Sequence, residues 1–375
     1  MKAALRLGIV GSGAMAEYHA KRFAGIEGVV VAAVADRDRA RALAFGERMG
    51  IAKVFGGVEE LLASGALDAV AVSNRDAGHP EACIEALSRG LPVFCEKPLA
   101  RRESEAAAMV HAAGRAGLPT LVNFSKRNGG LLSLARDLVA DGAVGEIEEA
   151  DFSYLQDWLH HRCWGDWRTN PRWQWRLDEE ESSHGVLGDL GSHCVDAMLF
   201  VIGDVEVRAA TARRFVASEN EAWRPGLPAF VAARGLLASA GLPIHLDLSY
   251  GARTAKDSFR LTIRGSKADL VLDLEKSRDE LTIVEGDGAE QRSRKAPSRP
   301  STYERFVLLA RGETDPSPEV LPDFAHGQRV AAIIDGLAAL ATRAEHPGRD
   351  DDAPEPDGDG PGKRGEDPGK GAGAP

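Results

Sequence analysis

The chain has 375 residues, of which 43% are hydrophobic, and it carries a formal net charge of −11. That length suits two domains with separate cores, and no apolar run approaches the roughly eighteen residues of a membrane-spanning helix. The acidic balance argues against a nucleic-acid partner, which would need a basic face.

The opening stretch MKAALRLGIVG has too short an apolar run to read as a secretory signal. Cys83, Cys95, Cys163 and Cys194 form no CxxC pair, so reduced thiols and a cytoplasmic location are expected. Residues 5–11, LRLGIVG, read as a short strand, and Gly11-Ser12-Gly13-Ala14-Met15-Ala16 follows at once, with helix over Glu17 to Phe23. In this GxGxxA turn Gly11 permits the tight bend, Gly13 lets backbone approach a pyrophosphate, and Ala16 allows close helix–strand packing. The helix N-terminus then offers unpaired N–H groups to the phosphates, and Ser12, Ala14 and Met15 are assigned to the cofactor with the glycines.

A second apolar strand, Val29 to Ala35, ends in Asp36, which lies 23 positions after Gly13, where a contact to the adenosine ribose belongs. Its charge disfavours a 2′-phosphate and favours NAD, while Arg37 would offset that repulsion, so NADP stays open. The alternation continues with strand-like Asp68–Val72, helix-like Pro80–Arg89, strand-like Pro92–Cys95 and helix-like Ser104–Ala116. Strands alternating with helices imply a doubly wound parallel sheet, with ligands beyond the strands' carboxyl ends. Phe94-Cys95-Glu96-Lys97-Pro98-Leu99-Ala100 stands at one such end, where the Lys97 ammonium can face the reactive ring of a cofactor.

About ninety residues later comes Gly185-Val-Leu-Gly188-Asp189-Leu-Gly191-Ser-His193-Cys-Val-Asp196. Asp189, His193 and Asp196 stand at i, i+4 and i+7, so on a helix they share one face. A carboxylate one turn from an imidazole fixes its tautomer, and histidine is the usual acid–base residue near neutral pH. Asp196 reads as structural. The alternative for the whole group is a helix-start cluster in which Asp189 caps and His193 packs.

With these motifs in hand, the chain resembles the Gfo/Idh/MocA oxidoreductases, the glucose–fructose and inositol dehydrogenase family. The likeness rests on GSGAMA, Asp36, Glu96-Lys97-Pro98 and the Asp-x-Gly-x-His pattern, and it spans approximately residues 5–343. It implies hydride transfer between a nicotinamide and a secondary hydroxyl or ketone of a sugar, cyclitol or derivative. Lys97 would polarise the hydroxyl, His193 would take or return its proton, and Asp189 would hold the sugar and orient His193. Glu96 would steady Lys97. Ser73, Asn74, His79, Glu96 and Lys97 are carried over to the cofactor, although Ser73-Asn74-Arg75 departs from the Thr/Ser-Pro-Asn of many members. The resemblance also implies a homodimer or homotetramer, and it leaves open a phosphorylated or nucleotide-activated sugar, or a protein that senses the dinucleotide without catalysis.

From Asn123 the pattern changes. Asn123 and Arg127, in Asn123-Phe124-Ser125-Lys126-Arg127, look like the family's entry to a substrate domain, and both are assigned to substrate. Strand composition at 147–154, 205–213, 244–250, 258–264, 270–274 and 281–284 implies an α+β domain on a mostly antiparallel open sheet. The expected division is a Rossmann domain over 1–122, a substrate and dimerisation domain over 123–322, a closing amphipathic helix over 323–344 and a tail over 345–375. That tail holds nine acids, four bases and fourteen Gly or Pro, too little apolar surface to order itself.

Five of the six tryptophans, Trp158, Trp164, Trp167, Trp173 and Trp175, fall in one short window. Aromatic faces stack on sugar rings, and Trp158, Trp167 and Trp175 are assigned to substrate with Tyr154, Gln156, Asp157 and Arg168. The competing reading is a satellite core under a long loop. His160-His161-Arg162-Cys163 lacks a second ligand pair at metal spacing, so no metal is expected. Convergence of the window's arginines on the pocket would mark a phosphate or carboxylate on the substrate.

Overall fold

The structure, a computed structural model, describes residues 4–161, 165–218, 222–286, 290–317 and 319–345. Cys163, Trp164 and the 346–375 part of the expected tail lie outside the described residues. The first third alternates β1 (Leu5–Val10), α1 (Ala14–Ala24), β2 (Val29–Ala35), α2 (Arg39–Met49), β3 (Lys53–Phe55), α3 (Val58–Ala63) and β4 (Ala69–Val72). It continues with α4 (His79–Ser88), β5 (Val93–Cys95), α5 (Glu103–Ala116) and β6 (Thr120–Val122). The strands form one parallel sheet in the order β3-β2-β1-β4-β5-β6. The order reverses between β1 and β4, which opens a crevice at their carboxyl ends. All four residues of β4 are buried, as a strand covered on both faces requires.

The remainder contains α6 (Leu131–Ala140), β7 (Ile147–Gln156), α7 (Pro171–Gln174), α8 (Ser192–Val201), β8 (Glu206–Arg214), β9 (Phe230–Ser239) and β10 (Leu242–Ser249). It ends with β11 (Asp257–Gly265), β12 (Ala268–Asp273), β13 (Glu280–Glu285), β14 (Glu290–Lys295), α9 (Thr302–Ala310) and α10 (Phe324–Glu345). Its sheet runs β14-β13-β12-β11-β7-β10-β9-β8, antiparallel throughout except for the β7–β10 pair. Along β7 the side chains of Ala150, Phe152, Tyr154 and Gln156 are buried and their neighbours less so, the period-two signature of a sheet with one covered face. This is the expected α/β Rossmann sheet joined to a mostly antiparallel open sheet.

Two late helices bind the sheets together. From α9, Tyr303, Phe306 and Val307 enter the core of the first sheet beside Phe23 and Phe94. Helix α10 packs on α5, β8 and α8. A buried ion cluster lies where α8 and α10 meet the turn after β6. The Arg127 guanidinium donates to both oxygens of Asp196, and His326 of α10 reaches Asp196 Oδ1 at 2.8 Å. Arg127 also donates to the Val320 carbonyl.

Burial raises the pKa of Asp196, but Arg127 and His326 outweigh it, and the balance lies below the ordinary carboxylate value. Asp196→Ala should therefore lower the unfolding free energy by about 3–5 kcal/mol at pH 7, because a buried guanidinium is left unpaired. The stabilisation is complete above the unfolded carboxylate pKa of about 3.9 and is lost as pH falls through the folded value. Urea unfolding across pH should show wild type and variant converging in acid.

Candidate active site

Gly11 follows β1 at φ +100°, and a Cβ there would stand 2.9 Å from the Ser73 carbonyl, so no larger residue fits the bend. Gly13 caps α1 without any side-chain acceptor, and a Cβ on it would meet nothing within 4 Å. The start of α1 thus has no side-chain cap for its first-turn N–H groups, the arrangement that receives a pyrophosphate. Asp36 Oδ2 accepts from both the Ser12 N–H at 2.9 Å and its hydroxyl at 2.6 Å, which fixes the turn to the end of β2. Met15 and Arg37 are exposed beside this turn, and Ser73 donates N–H and hydroxyl to the Val10 carbonyl. These residues fit a dinucleotide.

His79 serves as an anchor. Its ring is buried, with Nδ1 2.9 Å from the Pro98 carbonyl and Nε2 3.2 Å from the Asn74 carbonyl. Two carbonyls can be satisfied only by a ring that donates from both nitrogens. Burial opposes that charge, but Cys95, Asp76 and the Pro98 carbonyl favour it, and the pKa is raised to about 10. The ring ties the exit of β4 to the turn after β5.

At that turn Glu96 is buried beneath the site. Its Oε1 accepts from Asn123 at 2.6 Å and lies 3.0 Å from His19 Nε2, while Oε2 receives the Lys97 backbone N–H at 3.2 Å. Asn123 also accepts from Thr302, and His19 Nδ1 meets the Tyr303 hydroxyl. Glu96 therefore steadies Lys97 through its backbone and leaves the ammonium free to reach the turn ahead of α8. There Lys97 Nζ donates to Asp189 Oδ1 at 2.6 Å and to the Asp189 carbonyl at 2.9 Å. Asp189 Oδ2 accepts from the Tyr250 hydroxyl at 3.0 Å and from Arg176 Nε at 3.3 Å. Burial would raise the Asp189 pKa, but Lys97 and Arg176 hold it well below the usual range.

His193, in the first turn of α8, is 5% exposed, and its buried Nδ1 has no hydrogen-bond partner among the described residues. Burial and the charges of Lys97 and Lys126 press its pKa well below the ordinary value, Asp189 opposing, so the ring is neutral. Asp189 does not orient this ring by a hydrogen bond, contrary to the helical spacing. Residues Leu187–Gly191 form a π turn ahead of α8, and the Asp189 carboxylate is taken by Lys97, Arg176 and Tyr250.

The opposite wall comes from β7 and β11. The Tyr154 hydroxyl and Gln156 Nε2 both donate to Asp257 Oδ1, and the Tyr154 ring lies 5.8 Å from that of His193. Lys126 Nζ stands 4.4 Å over the Tyr154 ring. Asp76, buried and bonded to the Ser183 N–H, is raised to about 6, chiefly by burial with His79 and Lys97 opposing. Asp157 pairs with His161 beside a pocket of about 510 Å³ that Arg253 and Lys256 also line.

Other expected substrate residues are placed elsewhere. Arg127 is bound up with Asp196, and Asn123 lies beneath the turn with Glu96. Trp158 is buried against Tyr250 and Trp173, and Trp167 is buried against Phe215, so much of the tryptophan window belongs to the main hydrophobic core rather than to a satellite. Trp175 is partly exposed under the Arg176 guanidinium, and Arg168 lies over Trp167 and beside Asp166. Tyr250, Arg176, Lys126, Asp257 and Asp76 join the centre without having been assigned to it. Two of them carried a signal: Arg176 belongs to the arginines of the tryptophan window, and Tyr250 continues the inward alternation of β10.

The family model described as "Oxidoreductase family, NAD-binding Rossmann fold" matches residues 5–124, and the "GFO/IDH/MocA C-terminal domain" matches residues 132–271. The chain belongs to the Gfo/Idh/MocA oxidoreductase family, and its first domain is an NAD-binding Rossmann fold. It is 25% identical over 309 residues to a levoglucosan dehydrogenase of Pseudarthrobacter phenanthrenivorans, covering 71% of this chain and 75% of that protein. It is 26% identical over 342 residues to a 1,5-anhydro-D-fructose reductase of Ensifer adhaerens, covering 90% and 93% of the two chains. A solved levoglucosan dehydrogenase in complex with NADH and L-sorbose has the same fold, with TM-score 0.79, 21% identity and coverage of 91% and 98%.

Gly13→Val tests the dinucleotide turn. With open space around that position, the variant should melt close to wild type without cofactor. Saturating NADH, which at 100 times its Kd adds about 2.7 kcal/mol to wild type, should leave the variant's melting temperature unmoved.

Proposed function

We propose that the protein transfers a hydride between NAD and a secondary hydroxyl or ketone of a sugar, cyclitol or sugar derivative. The observation that carries this reading is the meeting of a lysine from the Rossmann sheet with a carboxylate one turn ahead of a neutral, buried histidine. NAD, when bound, would take up or supply the hydride, and Gly11, Gly13, Asp36 and the first turn of α1 would hold it. Lys97, fixed by Asp189, polarises the reacting oxygen and stabilises negative charge that develops on it. His193 accepts the hydroxyl proton at a ring nitrogen during oxidation and returns it during reduction. Tyr250 and Arg176 keep Asp189 in place. The sugar-directed activities named for the two relatives support the substrate class.

The same reading divides the chain into a Rossmann domain over 1–122, a substrate domain over 123–322 and a clamping helix over 323–344, assembled as a homodimer or homotetramer. A reducing cytoplasm suits the three buried free thiols Cys83, Cys95 and Cys194, and no helix among the described residues is long and apolar enough to cross a membrane.

Replacing a positioned acid–base group removes roughly 10²–10⁴ in rate. His193→Ala should lower kcat by that factor with NADH affinity retained, measured by absorbance of the reduced cofactor over a panel of sugars and cyclitols. Because the ring stays neutral, wild-type oxidation should hold its kcat/KM down to well below pH ~6.5, the ordinary histidine value. Wild-type turnover by His193→Ala would refute the assignment.

A further inference from the structure

Lys126 lies in the 3-10 turn Ser125–Arg127, directly after β6, and is half-buried. Its ammonium faces aromatic rings, 4.4 Å from the Tyr154 centroid and 5.5 Å from that of Phe259. Among the described residues it has no hydrogen-bond acceptor and no carboxylate within ion-pair distance. The other two cations of the centre are differently placed, since Lys97 and Arg176 both bond Asp189. Asp257, the acid that favours the Lys126 charge, already accepts from Tyr154 and Gln156.

A half-buried ammonium without a counter-ion loses hydration, and ring faces offset only part of that loss. Burial is the main effect lowering the Lys126 pKa, Asp257 opposes it, and Lys97 and Arg278 add to it. The Tyr154 ring that carries the ammonium also stands 5.8 Å from the ring of His193, so the ammonium and the proposed base share one aromatic neighbour. The window's arginines do not converge on the spot. Arg176 is bonded to Asp189, Arg168 lies over Trp167, and Arg172 lies over Trp173.

We propose that Lys126 receives a carboxylate of the substrate, so that the sugar taken by this enzyme is an acid sugar, a uronate or an aldonate. The inference rests on the sugar-oxidoreductase reading and narrows it. One ammonium with no arginine fork matches a single negative charge better than a phosphate monoester of about −1.5 to −2. A bound carboxylate would also offset the lysine charges that oppose protonation of His193, readying it to take the hydroxyl proton.

The test is titration calorimetry on the full-length NADH-loaded protein with D-glucuronate, D-galacturonate and D-gluconate, against D-glucose, D-galactose and D-glucose 6-phosphate. At least one acid should bind about tenfold or more tighter than the neutral sugars and the phosphate ester, with the advantage shrinking as salt is raised. Lys126→Met should erase that advantage without changing NADH affinity, and Lys126→Arg should keep most of it. If Lys126→Met does not fold, Lys126→Gln serves the same comparison. Equal or tighter binding of the neutral sugars or of glucose 6-phosphate by wild type would overturn the proposal, as would an acid preference that survives loss of the ammonium. The two readings separate by a parallel hydride-transfer assay. Turnover of neutral sugars without acid preference overturns the carboxylate site alone, and tight acid binding without NADH formation from any sugar overturns the oxidoreductase reading alone.

Discussion

The proposed active centre is organised by one contact between two chain segments 92 residues apart, the 2.6 Å ion pair of Lys97 with Asp189. Each charge loses water in coming together, and such a pair holds only where further bonds satisfy both partners. Here the ammonium also takes the Asp189 carbonyl, and the carboxylate also takes Tyr250 and Arg176. The exit of β5, the π turn, the end of β10 and the turn after α7 therefore share one point. Through it the parallel sheet fixes where the second sheet's wall can stand.

Both ends of the pair are braced from behind. Glu96 is locked by Asn123 and His19, which in turn meet Thr302 and Tyr303 of α9. On the far side His184, at φ +52°, leads into the π turn with Nδ1 on Glu179 at 2.8 Å and Nε2 on Asp335 of α10 at 2.9 Å. Burial opposes a charge on that ring, but the two carboxylates prevail and its pKa is raised. Helices α9 and α10, the last elements of the fold, thus support residues near positions 97 and 189 that carry the charge.

What the sequence made legible were the features governed by local rules. A glycine turn needs φ beyond the reach of other residues, and strands covered on both faces are continuously apolar, so β1, β2, β4 and β5 could be read. Strand β9 hid because FVAARGLLAS is rich in small residues and lacks alternation, and β14, EQRSRK, because a fully exposed edge has no apolar face. Helical spacing misplaced Asp189 because a π turn does not keep the i, i+4 relation. Lys126 and Asp257 were invisible for a different reason: a lysine after a strand and an aspartate opening one look like surface residues until the tertiary fold encloses them. The tryptophan window mixed core and surface, and composition cannot separate the two.

The position of β7 in its sheet has a consequence for how the molecule comes into being. Its two neighbours are β10 and β11, which begin at Leu242 and Asp257, long after β7 ends at Gln156. A nascent chain released to that point exposes both backbone edges of a ten-residue strand with nothing to pair them. The Rossmann strands emerge earlier, yet one face of their sheet waits for Tyr303 and Phe306. Neither lobe can finish on the ribosome before the other has been translated, which makes this a late, all-at-once assembly dominated by distant contacts.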